Sequence, residues 1–298
     1  MNYTPGSQLL MLPFDHRASF AKIIGVKDGA KPSKEQIAQI ESYKEIIYDA
    51  YMKCVGQRTV TKQNSAVLVD SQYGKTVMKR AAKDGVIFAT CMEKSGQEIF
   101  DFEYPDFKKT IKVLQPTIIK VLVRYNPENK KTDNELQLKR LKELHDYCKS
   151  IAKPFLFELL VIPNDSQLKK YGKENFDVKE RAKLTIKAIK EIHAFGIEPE
   201  IWKIEGEDTK ETMYSVVSAA VNQKTKTGVI VLGRGENEHK VEQWLKAAKD
   251  VPGVIGFAVG RTVFQAPLLE LAAGKIKREL AVKKIADEYA HFVNLWSK

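Results

Sequence analysis

The chain has 298 residues, of which 43% are hydrophobic and 29% are charged, as in a globular protein that buries a large core. No apolar run approaches the ~20 residues of a membrane span, no secretory signal opens the sequence, and three widely spaced cysteines exclude a disulfide framework, so a cytoplasmic protein is expected. The net charge of +11 does not predict nucleic-acid binding, because the lysines are spaced as on the wet faces of amphipathic helices, although a basic surface favours anionic substrates such as sugar phosphates.

Apolar runs that fit strands alternate along the chain with stretches of helical periodicity. The predicted strands cover residues 8–14, 66–70, 86–92, 117–123, 155–162, 200–206, 228–232 and 254–259. The predicted helices cover 33–55, 75–83, a segment from 106, 133–152, 178–195, 209–223, 238–248, 267–274 and 278–296, and a short helix or turn covers 18–25. Ser33 and Gln36 are expected to form a capping box, and Asp133 is expected to cap its helix.

Eight strands, each followed by a helix and too apolar to be half exposed, predict a parallel sheet. Their number favours a closed (β/α)8 TIM barrel formed by one domain over residues 1–298. A doubly wound open sheet is the alternative, but such a sheet more often has a glycine-rich turn after its first strand, where this chain has Asp15-His16-Arg17. Neither of the common glycine-rich nucleotide-binding motifs is present, so no nucleotide cofactor is expected.

Active sites of such barrels lie at the carboxyl ends of the strands, so the charged residues found there are the candidates. They are Asp15 and Arg17 on the first strand, Asp70 on the second, Lys120 and Arg124 on the fourth, Glu158 on the fifth, and Lys203 and Glu205 on the sixth. Lys120 and Glu158 interrupt apolar strands, where an unpaired charge is costly to bury. Each could belong to a structural ion pair, but several such residues at one barrel mouth favour an active site.

The loops after the seventh and eighth predicted strands each combine glycine with arginine. Gly233 and Arg234 follow the seventh strand, and Gly260 and Arg261 follow the eighth. Barrels commonly hold a phosphate at these two loops, and backbone N–H groups beside a guanidinium suit a phosphate dianion. Turn glycines with surface arginines are the alternative, and the presence of both pairs favours phosphate binding. Arg124 is the candidate for binding a substrate carboxylate.

The polar residues at the strand ends favour amine catalysis over metal catalysis. Of the five histidines only His16 lies at a strand end, so a zinc site is not expected. Lys203 could attack a ketone to form a Schiff base, which then acts as the electron sink for carbon–carbon cleavage. Lys120 is expected to be the nearby cation that lowers the pKa of Lys203, and Glu158 is placed to shuttle protons. Glu205 is interpreted as an orienting neighbour of Lys203.

Four motifs resemble a known family: LPFDHR at 12–17, KVLVRYNP at 120–127, WKIE at 202–205 and GFAVGRT at 256–262. They are similar to the aldolase-like domain of the kinase–aldolase family of myo-inositol catabolism, which is related to the class I tagatose-1,6-bisphosphate aldolases. The resemblance covers residues 9–296 and implies a TIM-barrel class I aldolase that converts 2-deoxy-5-keto-gluconate 6-phosphate to dihydroxyacetone phosphate and malonate semialdehyde. By position it implies Lys203 as the Schiff-base lysine, with Glu158, Asp15 and Lys120 as the other catalytic residues. Residues 97–104 depart from the family pattern, and the kinase half has no counterpart.

Two other interpretations remain open from the sequence. The first is a regulator that binds a phosphosugar through Arg234 and Arg261 without cleaving it. The second is an isomerase or epimerase that uses Glu158 as a base and forms no covalent intermediate. The partner expected in every case is a small sugar phosphate, and the sequence leaves a homo-oligomer possible.

Overall fold

The computed structural model describes residues 3–4, 6–27, 29–221 and 227–297. Eight parallel strands follow one another in chain order around a closed barrel. They are β1 (Leu9–Pro13), β2 (Ser65–Val69), β3 (Ile87–Cys91), β4 (Ile118–Arg124), β5 (Phe155–Leu160), β6 (Ile201–Glu205), β7 (Gly228–Leu232) and β8 (Val254–Ala258). β1 pairs with β8 and closes the barrel, so the predicted (β/α)8 fold is confirmed and the open doubly wound sheet is wrong.

Helices cover the outside of the barrel. They are α1 (Ala18–Ala21), α2 (Lys34–Gly56), α3 (Lys75–Asp84), α4 (Phe107–Leu114), α5 (Lys131–Ser150), α6 (Asp165–Lys179), α7 (Arg181–Ala194), α8 (Lys210–Ala220), α9 (Glu238–Ala248), α10 (Arg261–Ala272) and α11 (Arg278–Ser297), with a 3-10 turn at Lys22–Ile24. Ser33 and Gln36 form the predicted capping box of α2, and Asp106 caps α4. No helix within the described residues is both long and apolar enough to cross a membrane.

Several predicted helix boundaries were wrong. Asp133 does not cap α5, because that helix already begins at Lys131 and places Asp133 in its first turn. The helix α6 was not predicted, and its sequence buries only Gln167 and Phe176, so it shows little apolar periodicity. The helix predicted to begin at residue 267 begins at Arg261, three residues after the end of β8. The helix predicted for 209–223 ends at Ala220, and positions 222–223 of that prediction lie outside the described residues.

Two hydrophobic clusters fill the molecule, one inside the barrel and one between the strands and the helices. The inner cluster includes Leu9, Met11, Ala66, Leu68, Ile87, Ala89, Ile118, Leu156, Ile201, Ile230 and Ile255. Because strand side chains alternate, β6 contributes Ile201 to the inner cluster, and Trp202 and Ile204 to the outer one. Lys203 and Glu205 continue the inward face of β6 beyond this apolar floor. The inner cluster therefore supports the charged residues that lie at the carboxyl ends of the strands.

Candidate active site

Glu158 lies between two lysines at the carboxyl end of the barrel. It is paired in register with Lys203 across β5 and β6, and its Oε1 atom lies 2.9 Å from Lys203 Nζ. Its other oxygen, Oε2, lies 2.9 Å from Lys120 Nζ. All three residues are buried, with 6%, 4% and 0% of Glu158, Lys203 and Lys120 exposed. The sequence thus places one carboxylate between two amines where little water competes for them.

Lys120 is surrounded by three carboxylates. Its Nζ atom lies 2.8 Å from Asp15 Oδ2 and 2.7 Å from Glu93 Oε1, in addition to its contact with Glu158. Burial lowers the pKa of Lys120, but Asp15, Glu158 and Glu93 outweigh burial and hold that pKa well above its usual value. Lys120 therefore stays protonated at neutral pH, and its ammonium binds one carboxylate from each of three strand ends.

The three carboxylates around Lys120 differ in their acidity. Burial raises the pKa of Asp15 and of Glu158, but Lys120 and Lys203 overcome it and hold both pKa values below the usual range. At Glu93 burial prevails over Lys120 and Arg17, and the pKa is raised. Groups whose pKa values are pushed apart within one cluster are suited to different acid–base roles. Here Glu158 is the carboxylate that stays ionised beside Lys203, and Glu93 retains a proton more readily.

Glu93 was not among the residues singled out from the sequence. It lies two residues beyond the end of β3 and forms an isolated antiparallel bridge with Phe102, which belongs to the segment that departs from the family pattern. Arg17 donates hydrogen bonds of 2.8 Å to the backbone carbonyl of Glu93 and to the carboxylate of Glu103. The guanidinium of Arg17 is thus occupied in holding the loop after β3, and its predicted role in substrate binding stays a prediction.

A buried lysine on α2 supports the turn after β1. The Nζ atom of Lys44 lies 2.6 Å from Asp70 Oδ1 and donates hydrogen bonds to the carbonyls of Phe14 and His16. These two carbonyls flank Asp15, so Lys44 and Asp70 fix the backbone on which Asp15 reaches Lys120. The sequence predicts Asp70 at a strand end, but it does not single out Lys44, which stands among the polar residues of an amphipathic helix.

The arginine predicted after β7 is held by carboxylates. Arg234 Nε lies 2.9 Å from Glu205 Oε1, and Arg234 Nη1 lies 2.9 Å from Asp177 Oδ2. Arg261, at the start of α10, donates a hydrogen bond of 2.7 Å to the backbone carbonyl of Arg234. Gly235 lies so close to Arg261 that a Cβ atom there would lie 2.1 Å from the guanidinium. Glu205 therefore orients an arginine of the β7 loop, while its predicted partner Lys203 is held by Glu158.

Two adjoining cavities of about 330 and 320 Å³ open at the barrel mouth. Lys203, Glu158 and Arg124 line both of them. The first is also lined by Asp15, Arg17, Glu93 and Lys120, and the second by Gly233, Arg234, Gly260 and Arg261. We refer to the two together as the reaction cavity. It brings together ten of the twelve candidate residues named from the sequence. Glu205 is linked to it through Arg234, and Asp70 is paired with Lys44 instead.

One group at the barrel mouth has the side chains that could bind a metal ion. Its ligand atoms lie within 4.8 Å of one another and belong to Asp15, Cys91 and Glu93. The ammonium of Lys120 contacts both of the carboxylates. Burial and the carboxylate of Glu93 raise the pKa of Cys91 well above its usual value, so the thiol is a poor source of a thiolate ligand. In this group Lys120 already supplies the positive charge that a metal would bring.

Solved aldolases have folds similar to this closed barrel. A fructose-bisphosphate aldolase from Plasmodium falciparum, solved with TRAP and a small-molecule inhibitor, has a TM-score of 0.67 at 13% identity, covering 99% of this chain and 91% of that one. An archaeal fructose-1,6-bisphosphate aldolase whose catalytic lysine is bound to the carbinolamine intermediate has a TM-score of 0.57 at 13% identity, covering 93% and 94%.

The chain belongs to the family described as "uncharacterized protein conserved in bacteria" (DUF2090), whose sequence model matches residues 3–298. It is also similar to the tagatose 1,6-diphosphate aldolases of Listeria monocytogenes and Listeria innocua, with 26% identity over 153 residues to each. The matched region covers 49% of this chain and 41% of each relative, so it spans less than half the length of those aldolases.

Proposed function

We propose that this protein is a class I aldolase that cleaves a ketose phosphate through a Schiff base on Lys203. The observation that carries the proposal is the contact of 2.9 Å between Lys203 Nζ and Glu158 Oε1 inside the reaction cavity. A buried amine beside an ionised carboxylate has a proton acceptor at hand for each step of imine formation. The sequence similarity to tagatose 1,6-diphosphate aldolases and the aldolase fold support this reaction class.

The first half of the reaction forms the imine. Lys203 gives up a proton to Glu158, and the neutral Nζ atom attacks the ketone carbon of the substrate to give a carbinolamine. The protonated Glu158 then returns its proton to the carbinolamine hydroxyl, which leaves as water, and a protonated imine remains. Glu158 suits the first step because it is ionised and its Oε1 atom lies 2.9 Å from Lys203 Nζ.

The second half breaks the carbon–carbon bond. The bond that breaks joins the carbon next to the imine to a carbon that bears a hydroxyl group. Glu158 accepts the proton of that hydroxyl, its carbon leaves as an aldehyde, and the bonding electron pair moves into the imine to give an enamine. Protonation of the enamine carbon by Glu158 and addition of water release the ketone product and free Lys203. Lys120 remains a cation throughout and keeps Asp15 and Glu158 in place as charge moves between the reacting groups.

The basic residues of the reaction cavity select an anionic substrate. Arg234 and Arg261, with Gly233 and Gly260 beside them, form the phosphate side in this proposal, since guanidinium and backbone N–H groups fit phosphate oxygens. Arg124 lines both parts of the cavity and is the candidate ligand for a substrate carboxylate. These features support 2-deoxy-5-keto-gluconate 6-phosphate as the substrate and dihydroxyacetone phosphate and malonate semialdehyde as the products. Tagatose 1,6-bisphosphate is the second candidate, on the similarity to the Listeria aldolases.

Reductive trapping tests the proposed covalent step. Borohydride added during incubation with dihydroxyacetone phosphate should reduce the imine. The peptide that contains Lys203 then gains the mass of the ligand less one oxygen, because water is lost and two hydrogens are added. The Lys203→Met variant is the control and should gain no mass. An unmodified wild-type peptide, with substrate demonstrably bound, would overturn the mechanism and favour a phosphosugar-binding regulator. Products with the same number of carbons as the substrate would instead indicate an isomerase.

A further inference from the structure

A third cavity lies beside the reaction cavity, between the loops that follow β3, β4 and β5. Its volume is about 650 Å³, roughly that of the two parts of the reaction cavity together. Gly96 and Arg124 line both this space and the reaction cavity, so the two touch at one wall. None of the catalytic steps proposed above uses its residues, apart from the carboxylate contact suggested for Arg124.

Five side-chain amides line this cavity, which we call the amide cavity. The amides that line it are Asn126, Asn129, Asn134, Gln137 and Asn164. Amides donate and accept hydrogen bonds at once, which matches the hydroxyl groups of sugars and polyols. The wall therefore offers neutral polar groups in addition to its charged side chains.

One amide on this wall has an unused acceptor. Asn134 is 6% exposed, and its Nδ2 atom donates a hydrogen bond of 2.9 Å to the backbone carbonyl of Asn126. Its Oδ1 atom is buried and has no hydrogen-bond partner among the described residues. A buried acceptor left without a donor is unfavourable, and a ligand hydroxyl in the cavity would satisfy it.

The charges and the apolar groups on the wall restrict the ligand further. The ionisable side chains are Glu98, Asp133 and Asp165 against Arg124 and Lys130, so the carboxylates outnumber the cations and an anion is disfavoured. Ile99 and Ile162 also line the cavity and are 38% and 37% exposed, which offers apolar surface to the C–H faces of a carbohydrate.

We propose that the amide cavity is a binding site for a neutral polyhydroxylated ligand, a sugar or a polyol, separate from the phosphosugar in the reaction cavity. The hydroxyl groups of this ligand bind the unused oxygen of Asn134, the amide of Asn129 and the amide nitrogen of Gln137. The amides of Asn126 and Asn164 already bind protein groups, as does the Oε1 atom of Gln137. The proposal depends on this cavity alone and not on chemistry at Lys203, so an absence of Schiff-base trapping would leave it intact.

Sorbitol and 1,6-hexanediol are a matched pair of probes, because both have six carbons and only sorbitol carries four further hydroxyl groups. Titration calorimetry or ligand-observed NMR should show saturable binding of sorbitol to the wild-type protein, at least about tenfold tighter than that of hexanediol. Ile99→Trp fills the amide cavity from an exposed position and should weaken sorbitol binding at least about tenfold. Ile99→Ala keeps the cavity open but removes part of its apolar surface, so it should weaken sorbitol binding much less than Ile99→Trp does, by less than about threefold.

A second variant shows which cavity the polyol occupies. Ser19 is exposed and lines both parts of the reaction cavity, so Ser19→Trp obstructs that space and leaves the amide cavity open. Sorbitol binding lost in Ile99→Trp and retained in Ser19→Trp supports the proposal, provided that both variants unfold at the wild-type temperature. The proposal would be overturned if Ser19→Trp lost sorbitol binding or if Ile99→Trp kept it. It would also be overturned if the wild type bound hexanediol as tightly as sorbitol or did not bind sorbitol at all.

Discussion

Glu93 accepts a hydrogen bond of 2.7 Å from Lys120, although it lies beyond the end of β3 and Lys120 lies within β4. The backbone of Glu93 is in turn held by Arg17 from the β1 loop. The charge of Lys120 is thus balanced partly by a loop residue. The position of that loop therefore affects the contact between Lys120 and Glu158. A variant of Glu93 should therefore change the chemistry at Lys203 without any contact between the two residues.

Glu93→Gln removes one of the three negative charges around Lys120 and keeps the shape of the side chain. We expect kcat for ketose phosphate cleavage to fall about ten- to hundredfold, with KM changed much less, because the electrostatic balance acts on the transition state more than on binding. Because the pKa of Glu93 is raised, its replacement should also alter the acidic side of the pH–rate profile. Steady-state kinetics across about pH 5–9 would measure both effects.

Glu103→Gln is the matched control, since Glu103 also contacts Arg17 but has a side chain that is 25% exposed. The carboxylates that contact Lys120 are those of Asp15, Glu93 and Glu158, so this variant leaves the charge balance around Lys120 unchanged. It should lower kcat less than about threefold. Equal losses in the two variants would show that Glu93 acts only by holding the loop.

The sequence is enough to predict the barrel and those site residues whose charge interrupts an apolar strand. Eight apolar runs separated by helical patterns are enough to define the barrel, because few other folds bury eight parallel strands. Lys120, Glu158 and Lys203 were found for the same reason, and the strand register then brings them together. The alternation of side chains along β6 also predicts that Lys203 lies on the face opposite to Trp202.

Glu93 and Lys44 could not be found in that way. A glutamate just beyond a strand has the pattern of an ordinary loop residue. Its bridge to Phe102 and the hydrogen bond from Arg17 to its carbonyl hold it where its carboxylate reaches Lys120. Lys44 lies in a long amphipathic helix, where a lysine is most often solvated, and its burial depends on the position of Asp70 in another element. Both depend on contacts between residues distant in sequence, which a single sequence does not reveal.

Lys120→Met should destabilise the fold more than Lys203→Met. Lys120 neutralises Asp15, Glu93 and Glu158, and its loss leaves buried carboxylates without a cation, at a cost of about 3–5 kcal/mol in the free energy of unfolding. Of these three carboxylates Lys203 contacts only Glu158, and in Lys203→Met the contact of Glu158 with Lys120 remains. The free energy of unfolding should therefore fall by less than about 2 kcal/mol in that variant. Urea denaturation at about pH 7 and about pH 5 would measure both.

The penalty for Lys120→Met should shrink at the lower pH. The pKa values of Asp15 and Glu158 are held down by the lysines in the wild type, and without Lys120 these carboxyl groups can take up protons and lose their unpaired charge. A penalty that is equal at both pH values would contradict this electrostatic account and indicate a packing defect.

Lys44 and Asp70 should behave as a coupled pair. Lys44→Met leaves the carboxylate of Asp70 buried without its cation and frees the carbonyls of Phe14 and His16, so we expect a loss of about 3–5 kcal/mol in the free energy of unfolding. In the double variant with Asp70→Asn the unpaired charge is gone, while an amide oxygen can still accept from the backbone of Gln72 and Tyr73. The double variant should therefore be about 1–3 kcal/mol more stable than the sum of the single changes. Strict additivity, measured by urea denaturation, would argue against the pair.

His16 should make the protein less stable as the pH falls. Burial lowers the pKa of His16 to about 4, with Arg261 and Lys203 acting in the same direction and Asp15 opposing them. In the unfolded chain the pKa is near ~6.5, so between these values the unfolded state binds more protons and stability rises with pH. The expected loss in the free energy of unfolding from about pH 7 to about pH 5 is about 2 kcal/mol from this group. His16→Gln should remove that part of the pH dependence, whereas His291→Gln at the surface should keep it.

Gly235→Ala should weaken phosphate binding and leave the Schiff-base chemistry intact. Gly235 has φ of 78°, and an added Cβ atom would lie 2.1 Å from Arg261 Nη2, so the guanidinium must leave its position beside Arg234. If the two arginines bind the substrate phosphate, KM should rise about tenfold, while borohydride trapping of Lys203 at saturating ligand stays unchanged. Gly274→Ala has a similar backbone strain, with φ of 67° and open space around the added atom, and lies at the end of a helix. Its KM should equal that of the wild type, and a Gly235→Ala variant with the same KM would show that Arg261 does not hold the phosphate.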